Sequence, residues 1–221
     1  MNSAEKFISV KGRSRSLSTQ QKEIFLLLKN YELNFSFFKN KNLFKTKKIF
    51  LEIGFGSGEI IFREAKKNPD HIYIGVEYYK RGVTQLLKKI NDEKLKNIKI
   101  FHGDVHKLLT KLPREIFDEI WLFFPDPWPK KKHEKRRFIQ KKIIGDLHYL
   151  VKPNGKLFIS SDDTNYISWT LSLFLLMDKF DWLAFQPKDW RNPNNDYFGS
   201  RYEKKAALKN KVSYFLKFKK K

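Results

Sequence analysis

Four carboxylates, Glu52, Glu77, Asp104 and Asp126, stand where a chain of alternating strands and helices concentrates its chemistry. Glu52 opens Glu52-Ile53-Gly54-Phe55-Gly56-Ser57-Gly58, whose glycines let a ligand approach the backbone and a following helix N-terminus closely. Such a turn is weak evidence alone, because it suits NAD, a phosphate, or nothing beyond the helix packed behind it. Glu77 lies 23 residues beyond Gly54, where a carboxylate can accept both hydroxyls of a ribose. Asp104, after Gly103, is placed to accept from an adenine amino group, and Glu52 lies near the expected position of a ligand ammonium.

This much negative charge is hostile to a pyrophosphate and favourable to a cationic sulfonium that also carries an ammonium. The pattern therefore favours S-adenosylmethionine over NAD. Solvated acids at strand ends explain any one of Glu52, Glu77 and Asp104, but the set poorly. A second motif runs Phe123-Phe124-Pro125-Asp126-Pro127-Trp128-Pro129 and continues into Lys130-Lys131-Lys132-His133-Glu134-Lys135-Arg136-Arg137. Three prolines stiffen the backbone around Asp126 and Trp128, as a side chain held for chemistry requires. The cations after them are usually a solvated face when isolated. Beside a rigid loop bearing an acid and an aromatic, they read instead as phosphate contacts next to a place where a base can stack.

These residues need a scaffold, and the periodicity predicts one. From Lys48 onward, apolar strand-like runs alternate with helix-period segments, which predicts a parallel sheet covered on both faces. Strands are expected at 49–53, 71–77, 98–102, 119–124 and 156–161, with candidate sixth and seventh strands at 182–185 and 212–218. The helix after the glycines should stop at Asn68-Pro69. Val83, Leu86, Leu87 and Ile90 form a stripe at i, i+3, i+4, i+7. Ile139, Ile143, Leu147 and Leu150 form another, and Ile167, Leu171, Phe174 and Leu175 mark a later helix. Residues 1–45 read as a basic N-terminal extension, with Lys11, Gly12, Arg13 and Arg15 in a flexible arm. Ser18 and Gln21 form a capping box for a short helix over Ile24 to Leu28. The main domain is then 46–221.

Composition narrows the class. The 221 residues suit one α/β domain with a modest extension. Cysteine is absent, so no disulfide or thiolate metal site can form, and the five histidines show no zinc-like spacing. No metal is expected. No apolar stretch approaches the roughly 18 residues that span a bilayer, and the reading is a cytoplasmic protein with no membrane partner. The net charge of +22 suggests a polyanionic partner, although lysine supplies 37 of the 46 cations and an AT-biased genome gives the same excess.

The proline loop resembles the signature of bacterial tRNA (guanine-N7)-methyltransferases, the TrmB family. The similarity extends through Glu52 to Gly58, Gly75-Val76-Glu77, Gly103-Asp104 and Ser200-Arg201-Tyr202-Glu203, and covers nearly the whole chain from Lys11. It implies a Rossmann-like class I methyltransferase fold, a seven-stranded mostly parallel sheet with helices on both faces and an antiparallel last strand. It implies methyl transfer from S-adenosylmethionine to N7 of a guanine in tRNA, in the variable loop. Glu52, Gly54, Gly56, Gly58, Glu77, Asp104 and Asp126 would border the cofactor, with Asp126 the catalytic acid. Lys130, Asp162, Ser200, Arg201, Tyr202 and Glu203 would hold the guanosine. Lys132, His133, Glu134, Lys135, Arg136 and Arg137 would lie on the RNA backbone. Three positions depart from the family pattern: Ser200 replaces the usual threonine, Asp163 a commoner tryptophan and Glu134 a frequent histidine. Asp162 and Asp163 thus form an acidic pair, in which the spacing to Tyr166 favours Asp162 as the substrate contact. A monomer or weak homodimer is the expected state. The rivals are methylation of an exocyclic amine, which the Asp126-Pro127-Trp128 loop only partly fits, and a non-catalytic RNA-binding protein of the same fold.

Overall fold

The structure, a computed structural model, describes residues 16–191, 208 and 211–221. Seven strands form one sheet: β1 (Ile49–Ile53), β2 (Ile72–Glu77), β3 (Ile98–His102), β4 (Phe117–Phe123), β5 (Val151–Ser161), β6 (Phe180–Trp182) and β7 (Tyr214–Lys220). Their order is β3-β2-β1-β4-β5-β7-β6. β1 to β5 pair in parallel, while β7 runs antiparallel between β5 and β6. The expected mostly parallel sheet with an antiparallel last strand is therefore present. The parallel strands all present their carboxyl ends at one edge. The connection direction reverses between β1 and β4, the point at which such sheets open a crevice for ligands.

Alternation along β1 explains how both faces are filled. Ile49, Leu51 and Ile53 join a core with α6 (Val105–Leu109), α7 (Lys141–Leu150) and α8 (Thr164–Met177). Phe50 points the other way, into a core with α4 (Glu59–Lys67) and α5 (Lys80–Asp92). The predicted stripe of α5 is fully buried there, as Val83, Leu86, Leu87 and Ile90. Each large aliphatic side chain so placed contributes about 1.5–3 kcal/mol. Among the described residues, no helix is long and apolar enough to cross a membrane.

The N-terminal segment begins as its capping signal predicts. Ser18 Oγ accepts from Gln21 N–H and Gln21 Oε1 accepts from Ser18 N–H, closing the box at the start of α1 (Thr19–Leu26). The next three elements have no clean period in sequence: α2 (Leu28–Tyr31), a 3₁₀ turn at Phe35–Lys39 and α3 (Lys41–Thr46). Leu33 is buried in the core, and Phe35, Phe37, Phe38 and Phe44 pack against it. Lys11, Gly12, Arg13 and Arg15 lie outside the described residues.

β2 begins one residue later than expected and β4 two residues earlier, and the last three strands differ more. β5 starts at Val151 rather than at 156, because Val151 pairs with Phe117 before the register shifts and Lys156 pairs with Glu119. The residues between bulge outward, with Asn154 at φ +61°. Lys152-Pro153-Asn154-Gly155 reads as a turn for the same reason. β6 is centred earlier than 182–185, and β7 continues two residues past Phe218 to pair Lys220 with Phe180.

Candidate functional site

The glycine turn joins β1 to α4, and its backbone explains its composition. Gly54, Gly56 and Gly58 lie at φ +70°, +57° and +68°, a region costly for residues bearing a Cβ. Gly58 is the N-cap of α4 and has no side chain with which to cap it. Glu52 performs that task from β1: its Oε2 accepts from Ile61 N–H at 3.0 Å. Glu52 is only 4% exposed. Burial pushes its carboxyl up to about 8, the Ile61 hydrogen bond pulling it down in part and the nearby Glu77 charge adding to the rise. No hydrogen bond from the described residues reaches its other oxygen, Oε1.

Glu77 ends β2, 7% exposed, and its two oxygens tie the glycine turn to the start of α5. Oε2 accepts from Gly56 N–H at 2.9 Å and Oε1 from Tyr79 N–H at 2.8 Å. Burial raises this carboxyl as well, opposed by its backbone hydrogen bonds and reinforced by the charge of Asp126. Gly82 closes the arrangement from below, because a Cβ there would meet Gly56 O at 2.1 Å. Asp104 is the N-cap of α6, with Oδ1 accepting from His106 N–H at 2.9 Å.

The loop after β4 leaves Asp126 exposed between two strained residues. Phe124 at φ +50° and Trp128 at φ +44° each cost about 1–3 kcal/mol unless their surroundings impose the conformation. Phe124 N–H is held by Ser160 O at 2.9 Å. Trp128 carries the guanidinium of Arg136 5.0 Å over its ring, and His133 meets it edge-on with centroids 5.5 Å apart. Desolvation and the charges of Arg136, Lys132, Lys130 and Lys135 hold His133 below its ordinary value.

The remaining residues divide. Lys130, Lys132 and Lys135 are exposed along a 3₁₀ turn, Lys131–Arg136. Arg137 is 4% exposed and faces inward, with Glu134 at 3.6 Å. Its guanidinium is turned into the loop, towards the carbonyls of Pro127 and Trp128. Sequence reasoning missed this because a cation within a cationic run reads as solvated. The acidic pair also separates: Asp163 caps α8, with Oδ1 accepting from Tyr166 N–H at 2.9 Å, whereas Asp162 lies 3.4 Å from Lys211 Nζ. Ser200, Arg201, Tyr202 and Glu203 fall outside the described residues. The structure thus gathers Glu52, the glycines, Glu77, Asp104, Asp126 and Asp162 at the carboxyl edge of the parallel strands, with the lysines beside them.

These residues fit S-adenosylmethionine. Oε1 of the buried Glu52 suits a cationic ammonium, and each Glu77 oxygen keeps one lone pair for a ribose hydroxyl.

Comparison with known proteins agrees. Residues 46–216 match the family described as "Putative methyltransferase". Over 170 residues the chain is 41% identical to a tRNA (guanine-N(7)-)-methyltransferase of Agrobacterium fabrum, spanning 77% of this chain and 73% of the relative. It is 38% identical over 176 residues to one from Roseobacter denitrificans, spanning 80% and 75% respectively. A solved aminoglycoside resistance methyltransferase aligns with a TM-score of 0.59 at 14% identity, over 86% of this chain and 95% of that one, a likeness of fold alone. The sheet order and this likeness identify the Rossmann-like class I methyltransferase fold. Matched by the family model over most of its length and about two-fifths identical to such an enzyme, the chain belongs to the tRNA (guanine-N(7)-)-methyltransferase family.

Proposed function

We propose that this protein transfers a methyl group from S-adenosylmethionine to N7 of a guanine in tRNA, within the variable loop. The observation that carries the reading is the meeting, at one sheet edge, of two buried acids flanking a glycine turn with a stiff exposed-acid loop bordered by lysines. S-adenosylmethionine, when bound, supplies an electrophilic methyl group on a sulfonium.

Guanine N7 has a lone pair and no proton, so the chain needs no general base. Its residues have to orient and to balance charge. Glu52 holds the ammonium, Glu77 the ribose and Asp104 the adenine edge. Fixing both partners in line is worth about 7–11 kcal/mol in favourable systems. As positive charge develops on the purine, the Asp126 carboxylate stabilises it. Asp162 accepts from the donor-rich N1 and N2 edge, with Lys130 and residues 200–203 completing the guanosine site. Lys132, Lys135 and Arg136 take phosphates. Residues 1–45 act as a basic extension to the domain at 46–221, and the start of the family match at residue 46 supports that division. We place the enzyme in the cytoplasm, where tRNA is modified, as a monomer or weak homodimer.

The deciding experiment incubates the protein with methyl-labelled donor and bulk tRNA, then digests the RNA and identifies the labelled nucleoside. 7-Methylguanosine from the variable loop is expected. An N-methylated exocyclic amine would replace this reading with its nearest rival, and tight RNA binding without donor binding would leave only a binding protein.

A further inference from the structure

Three prolines around Asp126 remove three backbone donors, so past Phe124, whose N–H donates to Ser160 O, this loop has few N–H groups with which to lace itself to the sheet. Its carbonyls are what remain to be held. Arg137 holds two adjacent ones: Nε donates to Pro127 O at 3.1 Å and Nη2 to Trp128 O at 3.4 Å. The same guanidinium lies 5.0 Å over the ring of Trp169, whose Nε1 donates to Ile139 O at 2.8 Å. Glu134 Oε1 faces Nη1 at 3.6 Å and offsets the buried charge. Arg137 is itself fixed in the chain, its N–H donating to Glu134 O and its carbonyl accepting from Gln140 Nε2. A planar fork gripped on one side by an indole and on the other by two carbonyls is pre-organised in a way that a lysine cannot copy. The clamp acts on Trp128, one of the two strained residues that set the direction of Asp126.

We propose that Arg137 is a positioning residue for the loop that carries Asp126 and takes no phosphate of the RNA. The inference rests on the methyl-transfer reading above. It departs from the expectation that the whole cationic run lies on the RNA backbone, and it leaves that role to the exposed lysines and Arg136.

The test uses the full chain, as wild type, Arg137→Lys and Arg136→Ala. Three quantities are measured: the single-turnover methylation rate at saturating donor and tRNA, tRNA affinity across a salt titration, and hydrogen exchange of the peptide 123–130. Arg137→Lys should slow the saturated rate about ten- to hundredfold, the scale expected from a 1 Å misplacement. Exchange of the loop peptide should quicken, while tRNA affinity and its salt slope stay as in wild type. Arg136→Ala should weaken tRNA binding and flatten its slope by about 0.7–0.9. Weaker, salt-flattened tRNA binding in Arg137→Lys with wild-type rate and loop exchange would overturn the proposal. Should Arg137→Lys fail to fold, Trp169→Phe removes the indole hydrogen bond and weakens the stack. It should shift rate and exchange in the same direction by less, and wild-type values for both would equally overturn the proposal. A wild-type protein inert on tRNA would instead sink the methyl-transfer reading, while loop exchange, which needs no activity, still decides the clamp.

Discussion

Glu52→Gln separates the acid's structural role from its ligand role. In the folded protein Glu52 is lifted from its ordinary 4.5 to about 8, chiefly by burial. An unfolded chain returns it to the ordinary value. Below pH 4.5 the residue is protonated in both states and costs nothing. Between 4.5 and 8 the unfolded chain releases a proton that the folded protein retains, so folding stability falls as pH rises, by about 1.4 kcal/mol per unit. At pH 7 the burden has an upper bound of about 3 kcal/mol. Glutamine has the same shape, still accepts from Ile61 N–H and does not titrate. Without donor, the variant should therefore melt higher than wild type by up to about 6–12 °C at pH 7, using about 2–4 °C per kcal/mol for a chain of this size. The gap should shrink towards pH 5 and level off above 8. Adding S-adenosylmethionine should reverse the order, because the ammonium favours the charged carboxylate and donor binding stabilises the wild type more strongly. Thermal melts of both proteins over pH 5.5–8.5, with and without donor, measure all of this. A gap independent of pH would refute the buried neutral acid, and equal donor stabilisation would refute its pairing with an ammonium.

Asp126→Ala should lower the single-turnover methylation rate by about 10²–10³ while thermal stability stays unchanged, the side chain being exposed; a near-normal rate would remove Asp126 from the chemistry. Reversing Lys132 and Lys135 to glutamate should weaken tRNA binding and reduce its salt slope by about 2, with donor affinity unaltered in a parallel titration. Gly82→Ala puts a methyl group 2.1 Å from Gly56 O and must displace the glycine turn; calorimetry should show donor affinity reduced by about tenfold or more, from a strain of about 1–3 kcal/mol. Ser18→Ala removes the α1 cap at a cost of about 1 kcal/mol, seen as faster hydrogen exchange in 19–26 without loss of methylation.

The most legible region in sequence was the unit from Ile49 to Lys67, because three local signals agree there: a continuous apolar strand, glycines that only a tight turn requires, and a Pro69 stop. The capping box at Ser18 was legible for the same reason, as it lies within four residues. What sequence could not reveal depends on distant partners. Phe35, Phe37, Phe38 and Phe44 follow no helical or strand period, and only the core they meet explains them. Glu52 as the cap of α4 was foreshadowed by the side-chain-free Gly58, but the bond spans a turn whose shape is not local information. Arg137 was harder still. Its one clue is that it ends the cationic run beside the apolar Phe138-Ile139, while the partner that buries it, Trp169, comes from another helix. The pair Asp162 and Asp163 separates only once α8 is seen to begin at Thr164, which makes Asp163 the cap.

A cationic donor and a polyanionic RNA make opposite demands on one edge of a protein that carries a net charge of +22. Burial reconciles them. The lysines after the loop are exposed, and water with salt screens their field within about 8–10 Å. Glu52 and Glu77 lie inside the fold, where screening is weak and a neighbouring cation is felt strongly. Burial raises both carboxyls, so in Glu52 much of the negative charge is held back as a bound proton until a positive ligand draws it out. Without the donor the protein is spared the repulsion of two adjacent buried carboxylates, and in the proposed function donor binding adds an ion pair where water screens it weakly. Asp126 is different: it stands exposed at the same strand edge, where the proposed function sets the purine beside the methyl donor, and the proposed clamp beneath Trp128 keeps it there.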